Sequence, residues 1–167
     1  MGNDVTHTSR AYLSLGSNIE PEHHLRAAIA ALRERFDGVV VSAAYRFPAV
    51  GFDGPDFLNA AAAIDSDIDP FALGRWLREL ERVNGRSRTN VKFNSRTLDI
   101  DIVYFGSLIM EGPGELILPR PELSHAFVLK PMAEIEPRFI DPIRGHTLQQ
   151  LWDAHPQHGE AFTAVEL

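Results

Sequence analysis

Cysteine is absent from all 167 residues, which excludes disulfide staples, thiolate zinc centres and cysteine nucleophiles and leaves any metal to oxygen or imidazole ligands. No apolar run is long enough for a membrane-spanning helix, and the first ten residues, MGNDVTHTSR, carry no apolar secretory core. These absences predict a cytoplasmic protein that does not engage a membrane. An excess of positive charge is lacking as well: the formal net charge is −7. General nucleic-acid binders owe their affinity to basic surfaces, so that class is disfavoured. The seven histidines are scattered, and His23 and His24 are adjacent instead of lying at the i, i+4 spacing of a helical ligand pair. A histidine metal site is therefore not expected.

What is present fits a single domain over residues 1–167 with a core at about 11–152: 44% of residues are hydrophobic, enough to bury a core. The charge is unevenly placed. Arg86, Arg88, Lys92 and Arg96 fall in a stretch with no acid, which leaves the rest of the chain at −11. A basic island in an acidic protein points to a local anionic partner.

Residues 11–15 alternate as a strand, Gly16-Ser17-Asn18 breaks it, and Pro21 opens a helix to about Phe36 with Leu25, Ala28, Ile29, Leu32 and Phe36 on one stripe. Residues 38–47 are β-rich, residues 48–55 form a Gly/Pro-punctuated loop, and 57–65 read as a strand despite their alanines. Asp69-Pro70 then caps a helix whose stripe of Phe71, Leu73, Leu77, Leu80 and Val83 ends at Gly85. After the basic loop, residues 97–105 form a strand. The order βαββαβ is that of a ferredoxin-like α+β fold, an antiparallel sheet with helices on one face. A C-terminal extension adds a hairpin at 110–118 and short helices near 126–134 and 148–152.

In the last strand of that order Leu98, Ile100 and Ile102 alternate with Asp99, Asp101 and Val103. The pleat thus sets two carboxylates on one face, with Cα atoms roughly 6.5–7 Å apart. Such a pair suits a hard cation whose remaining ligands are phosphate oxygens and water. The same triplet also fits a solvated strand face. The neighbouring arginines offer forked donors to phosphate, and few core-forming residues hold that loop in place, so closure on a ligand is an expectation. Phe57 and Asn59 share a strand face, giving one ring to stack on and one amide to read a heterocycle edge. A core phenylalanine and a turn asparagine explain them equally. Gly16-Ser17-Asn18 reads either as a pocket lining or as a turn and helix cap.

Gly16-Ser17-Asn18, the segment from Tyr45 to Asn59, Glu81 with Gly85-Arg86, and Arg96-Thr97-Leu98-Asp99-Ile100-Asp101-Ile102 together resemble the 6-hydroxymethyl-7,8-dihydropterin pyrophosphokinase family. Phe127-Val128-Leu129, Pro131 and Glu134-Ile135 match its closing signature, so the likeness runs from about residue 11 to 152. It implies an ATP-dependent diphosphokinase of folate biosynthesis that uses ATP as co-substrate, with two magnesium ions held by Asp99 and Asp101. It further implies that Arg86 and Arg96 act on the phosphates from a flexible loop, and that Arg88, Lys92, Ile102, Arg120 and His125 contact ATP. Phe57, Asn59 and Phe127 would hold the pterin, the backbone of Phe47, Pro48 and Val50 would line its edge, and Phe93 would help seal the site. The implied partners are small molecules only, acted on by a monomer, with a weak dimer left open. Three positions depart from the family pattern. Ser95 replaces a proline; Arg120 replaces a histidine but still donates; His125 replaces an arginine and, only partly charged near neutrality, attracts phosphate less. Two other classes stay open at this point. One is a pterin- or nucleotide-binding relative with reduced or altered transfer. The other is a ferredoxin-like RNA-binding or interaction module, disfavoured by the acidic charge and the lack of clustered strand aromatics.

Overall fold

The computed structural model describes residues 8–85, 96–112 and 116–167. The chain runs β1 (Ser9–Ser17), α1 (Pro21–Arg35), β2 (Asp37–Val41), β3 (Ala44–Phe47), β4 (Phe57–Ser66), α2 (Pro70–Val83) and β5 (Asp99–Phe105). The extension follows as β6 (Met110–Glu111), β7 (Ile117–Leu118), a 3-10 turn (Pro121–Ser124), α3 (Ala126–Ile135), α4 (Leu148–Asp153) and β8 (Ala164–Val165). The main sheet is antiparallel, in the order β5-β1-β4-β3-β8, with β2 also on β4. This is the βαββαβ core expected from the sequence.

Helix α2 starts where Asp69-Pro70 predicts, with the Asp69 carboxylate accepting from the Ala72 N–H at 2.8 Å. Its stripe and that of α1 bury Leu25, Ala28, Ile29, Leu32, Leu73, Leu77 and Leu80 against Leu13, Leu15, Ile100 and Ile102 of the sheet. The alanine run falls on β4, which is paired on both sides and buried on both faces. Ala60 and Ala62 face α1 and α2, while Ala61 and Ala63 face the extension. Small side chains let helices approach closely from either side, and burial outweighs the weak strand preference of alanine.

The single β-rich stretch at 38–47 is two strands. Val41 lies opposite Ala62 but Tyr45 opposite Asn59, so this side carries one extra residue, a bulge at Ser42-Ala43. The Ser42 hydroxyl accepts from the Ala61 N–H there at 2.9 Å, replacing a ladder carbonyl. A second bulge inserts Val103 between the pairs Tyr12–Tyr104 and Leu13–Ile102. It turns Val103 and Tyr104 to the same side, where they pack with Tyr12, Leu129, Met132 and Leu148. The extension therefore covers part of the face opposite α1 and α2, a layer that the sequence pattern did not locate. Its far end is tied down by β8, which pairs with β3 and closes that edge of the sheet. Among the described residues, no helix is long and apolar enough to cross a membrane.

Candidate active site

Pairing registers build the site. Gly16 of β1 lies opposite both Asp99 of β5 and Asn59 of β4, and Asn59 lies opposite Tyr45 of β3. Directly opposed residues share a face, so Asp99, Gly16, Asn59 and Tyr45 form one row across four strands. Asp101 opposes Ser14, and Phe57 opposes Phe47, on the same face. This is the face that α3 covers only in part. At the Tyr45 end α3 seals it: the Lys130 ammonium sits 4.6 Å from the Tyr45 ring centre, and Glu134 accepts the Tyr45 hydroxyl. Burial, together with that carboxylate, pushes the Tyr45 phenol up to about 12.

Gly16 has a steric reason. A Cβ there would stand 2.7 Å from Asn59 Nδ2, so the amide lies across the strand only because residue 16 has no side chain. Asn18 is buried and does not cap α1, whose N-cap is Glu20 in the left-handed region. Its Oδ1 accepts from the Arg96 N–H at 2.7 Å, its own N–H donates to the Arg96 carbonyl at 3.0 Å, and its Nδ2 donates to the Pro55 carbonyl at 3.1 Å. One amide side chain thus joins the end of the basic loop to the loop that precedes Phe57.

At the other end of the row, Asp101 is flanked by two guanidinium groups. Arg78 Nη2 lies 3.1 Å from its Oδ1, and Arg120 Nε lies 3.7 Å from its Oδ2. Arg78 belongs to α2, on the opposite face of the sheet, and reaches the carboxylate around the exposed edge of β5. On the way it donates to the Ile100 carbonyl, and its Nη1 lies 3.3 Å from Glu81 Oε1. Glu81 in turn accepts the Ile100 N–H at 2.9 Å. Arg78 and Glu81, three residues apart on α2, thereby satisfy the outward peptide groups of an edge strand. Burial works against the Arg78 charge, but Asp101, Glu81 and Asp99 outweigh it and hold the proton more tightly than on a free guanidinium.

Aromatic side chains gather at the Phe57 end. Phe47 is buried, with the Phe127 ring at 6.3 Å and the Phe162 ring at 4.9 Å. Phe57 is half-buried and meets Phe52 edge-on at 6.4 Å. His125 is exposed and stacks on Phe127 at 5.0 Å, on the aromatic side of the site. Pro48 and Val50 are exposed in the loop between β3 and β4.

Most residues named from the sequence are therefore brought together: Asp99, Asp101 and Arg120 toward one end, Phe47, Phe57, Asn59, Phe127 and His125 toward the other, and the Arg96 backbone is held by Asn18. The side chain of Ile102 is buried in the core on the far face and does not reach the site. Arg86, Arg88, Lys92, Phe93 and Ser95 lie outside the described residues. Sequence reasoning missed Arg78; the signal was an Arg78/Glu81 pair on the polar side of a helix beside the aspartate-bearing strand. A cavity of about 350 Å³ behind the C-terminal strand, lined by Arg33, Ser42, Glu134 and Glu166 among others, contains none of the sequence-named site residues.

Among the described residues no three His, Cys, Asp or Glu side chains cluster as a complete metal cage. Two oxygen donors on one strand face, with no soft ligand, fit a magnesium ion whose shell is completed by substrate phosphates and water.

Fold and site define a ferredoxin-like α+β protein whose open sheet face sets a carboxylate pair among guanidinium groups beside an aromatic, amide-bearing recess. The 7,8-dihydro-6-hydroxymethylpterin-pyrophosphokinase (HPPK) family model matches residues 12–137, and the chain belongs to that family. It is similar to the 2-amino-4-hydroxy-6-hydroxymethyldihydropteridine pyrophosphokinases of Pseudomonas aeruginosa (35% identical, covering 90% of this chain and 94% of that protein) and Bacillus subtilis (39%, covering 75% and 77%). The Synechocystis enzyme of the same name is 36% identical, covering 84% and 73%. Among solved structures, wild-type Plasmodium falciparum HPPK-DHPS superposes with a TM-score of 0.69 at 12% identity, a likeness of fold alone. The match covers 88% of this chain and spans 44% of that longer one.

Proposed function

We propose that this chain transfers the pyrophosphoryl group of ATP to 6-hydroxymethyl-7,8-dihydropterin and releases AMP, a step of folate biosynthesis. The observation that carries the reading is the cross-sheet row. It sets a metal-competent carboxylate, Asp99, and a heterocycle-reading amide, Asn59, on either side of a glycine whose missing side chain makes room for that amide.

Asn59 offers both a donor and an acceptor to the pterin edge. Phe57 and Phe127 supply ring faces, and Phe47, held by Phe162 and Phe127, supports the loop containing Pro48 and Val50. Toward the other end, Arg120 stands beside Asp101 as a phosphate donor. Arg96 is pinned through its backbone to Asn18, which fixes where the basic loop returns to the sheet. Arg86, Arg88 and Lys92 complete the proposed phosphate-binding loop. His125, stacked on Phe127, contacts the nucleotide from the aromatic side, and Ile102 meets it through its backbone.

Asp99 and Asp101 are the proposed magnesium ligands, for two ions; bound there, magnesium would neutralise charge on the phosphates. The hydroxymethyl oxygen attacks the β-phosphorus in line and gives up its proton to solvent, the bond from that phosphorus to the α-β bridging oxygen breaks, and AMP departs with that oxygen. Orientation by the two ends of the site supplies much of the acceleration. We place this chemistry in one cytoplasmic domain spanning the chain and acting on small molecules.

Asp99→Asn and Asp101→Asn test the reading. Each is expected to lower turnover by about 10²-fold or more while pterin binding and the thermal midpoint stay near wild type. Turnover within a few-fold of wild type in either variant would refute the carboxylate assignment.

A further inference from the structure

We infer that Arg78 is an internal counter-ion for the carboxylate pair: it occupies Asp101 while no divalent cation is bound and must yield that oxygen when one enters. The inference rests on the cation reading of Asp99 and Asp101.

Three observations carry it. Arg78 Nη2 sits 3.1 Å from Asp101 Oδ1, on an oxygen that a magnesium ligand has to present to the ion. Asp101 is only 21% exposed on its side chain, so its charge is screened less by water than a surface aspartate and needs a positive partner. The guanidinium is also held by the Ile100 carbonyl and Glu81, which keep it at the site when it leaves Asp101. Arg120, at 3.7 Å from the second carboxylate oxygen, makes no equally close contact with Asp101.

The physical consequence concerns the cation before nucleotide arrives. A divalent ion approaching Asp101 must displace a resident positive charge and is repelled by it. Cation binding to the protein alone is thereby weakened. When the ion arrives with a polyphosphate, the displaced guanidinium finds phosphate oxygens as new acceptors, and the penalty is offset. Arg78 is a positioning residue in this scheme, acting through Asp101, and it couples metal entry to nucleotide entry.

A strut that merely holds the β5 edge would have the same contacts, so the test reads cation affinity instead of activity. Mn²⁺ alone is titrated into the full-length protein, free of nucleotide, and followed by electron paramagnetic resonance. Arg78→Gln keeps an amide donor for the Ile100 carbonyl but removes the charge, and it is expected to bind Mn²⁺ at least about fivefold more tightly than wild type. Arg78→Lys keeps the charge and is expected to stay within about twofold. Asp101→Asn is titrated in parallel. If it leaves Mn²⁺ affinity unchanged, the cation reading itself fails. If it abolishes binding while Arg78→Gln binds as wild type does, the cation reading stands and the counter-ion role of Arg78 is overturned.

A wild-type measurement covers variants that fail to fold. The Arg78 side-chain ¹⁵N resonances should shift when Mg²⁺ and a non-hydrolysable ATP analogue saturate the protein. Resonances that do not move on saturation would overturn the inference as well.

Discussion

Replacing Gly16 by alanine is the sharpest probe of how the two ends of the site are joined. The new methyl would stand 2.7 Å from Asn59 Nδ2, 3.6 Å from its Cγ and 3.8 Å from Phe57 Cδ1. The first distance is well inside van der Waals contact, so the amide must swing away. The backbone at residue 16 is ordinary strand, and glycine there costs the fold about 0.5–1 kcal/mol relative to alanine. The relief of that cost and the strain of moving Asn59 oppose each other, leaving overall stability near wild type. Binding is affected differently. If Asn59 reads the pterin edge, the misplaced amide forfeits two hydrogen bonds at about 0.5–1.5 kcal/mol each. Pterin affinity should fall by about 5- to 150-fold. Quenching of 6-hydroxymethylpterin fluorescence gives the affinity directly, and ATP-analogue binding to the same variant serves as the control. A variant that folds normally and binds the pterin as wild type does would refute the role given to Asn59.

Arg96→Ala should lower the turnover number by about 10²–10³-fold with pterin affinity within about twofold of wild type, read from steady-state kinetics and the same quenching titration. A loss confined to pterin affinity would move Arg96 out of the phosphate end. Away from the site, Asp141 is fully buried and accepts from the Tyr104 hydroxyl at 2.5 Å, the Ile143 and Arg144 N–H groups at 2.8 Å, and Arg144 Nη1 at 2.9 Å. Burial by itself would raise its pKa, but these donors together hold it below the ordinary value. The folded state therefore binds fewer protons than the unfolded chain, whose aspartate titrates near about 3.9. The stabilisation is complete above that value and lost as pH falls through the lower folded one. Asp141→Asn should cost about 1.5–3 kcal/mol at pH 7 and flatten the loss of stability below about pH 4, measured by urea unfolding. Parallel pH profiles for variant and wild type would contradict this.

The sequence spoke most clearly where a period was regular. The stripe of α1, the middle of the α2 stripe and the alternation around Asp99 and Asp101 put each face where the structure has it, while Phe71 and Val83 at the two ends of α2 are exposed. The alanine strand was legible as a strand, but not why alanine suits it, because the reason is a helix, α3, that comes more than 60 residues later. Both bulges escaped notice, since one extra residue at Ser42-Ala43 or Val103 leaves no mark in composition. Asn18 was ambiguous for a physical reason: a turn asparagine has the same donors whether it caps its own helix or bridges Arg96 and Pro55, and only the fold brings those partners near. Arg78 looked like any helical surface arginine. Its importance comes from the edge position of β5, a property of sheet order instead of local pattern.

Product identity is the decisive measurement. When the purified protein is mixed with Mg²⁺, ATP and 6-hydroxymethyl-7,8-dihydropterin and followed by ³¹P nuclear magnetic resonance, attack at the β-phosphorus predicts AMP and the pterin diphosphate in equal amounts. ADP with a pterin monophosphate, or ATP that persists unchanged beside folded protein, would contradict the transfer proposed for this sheet face.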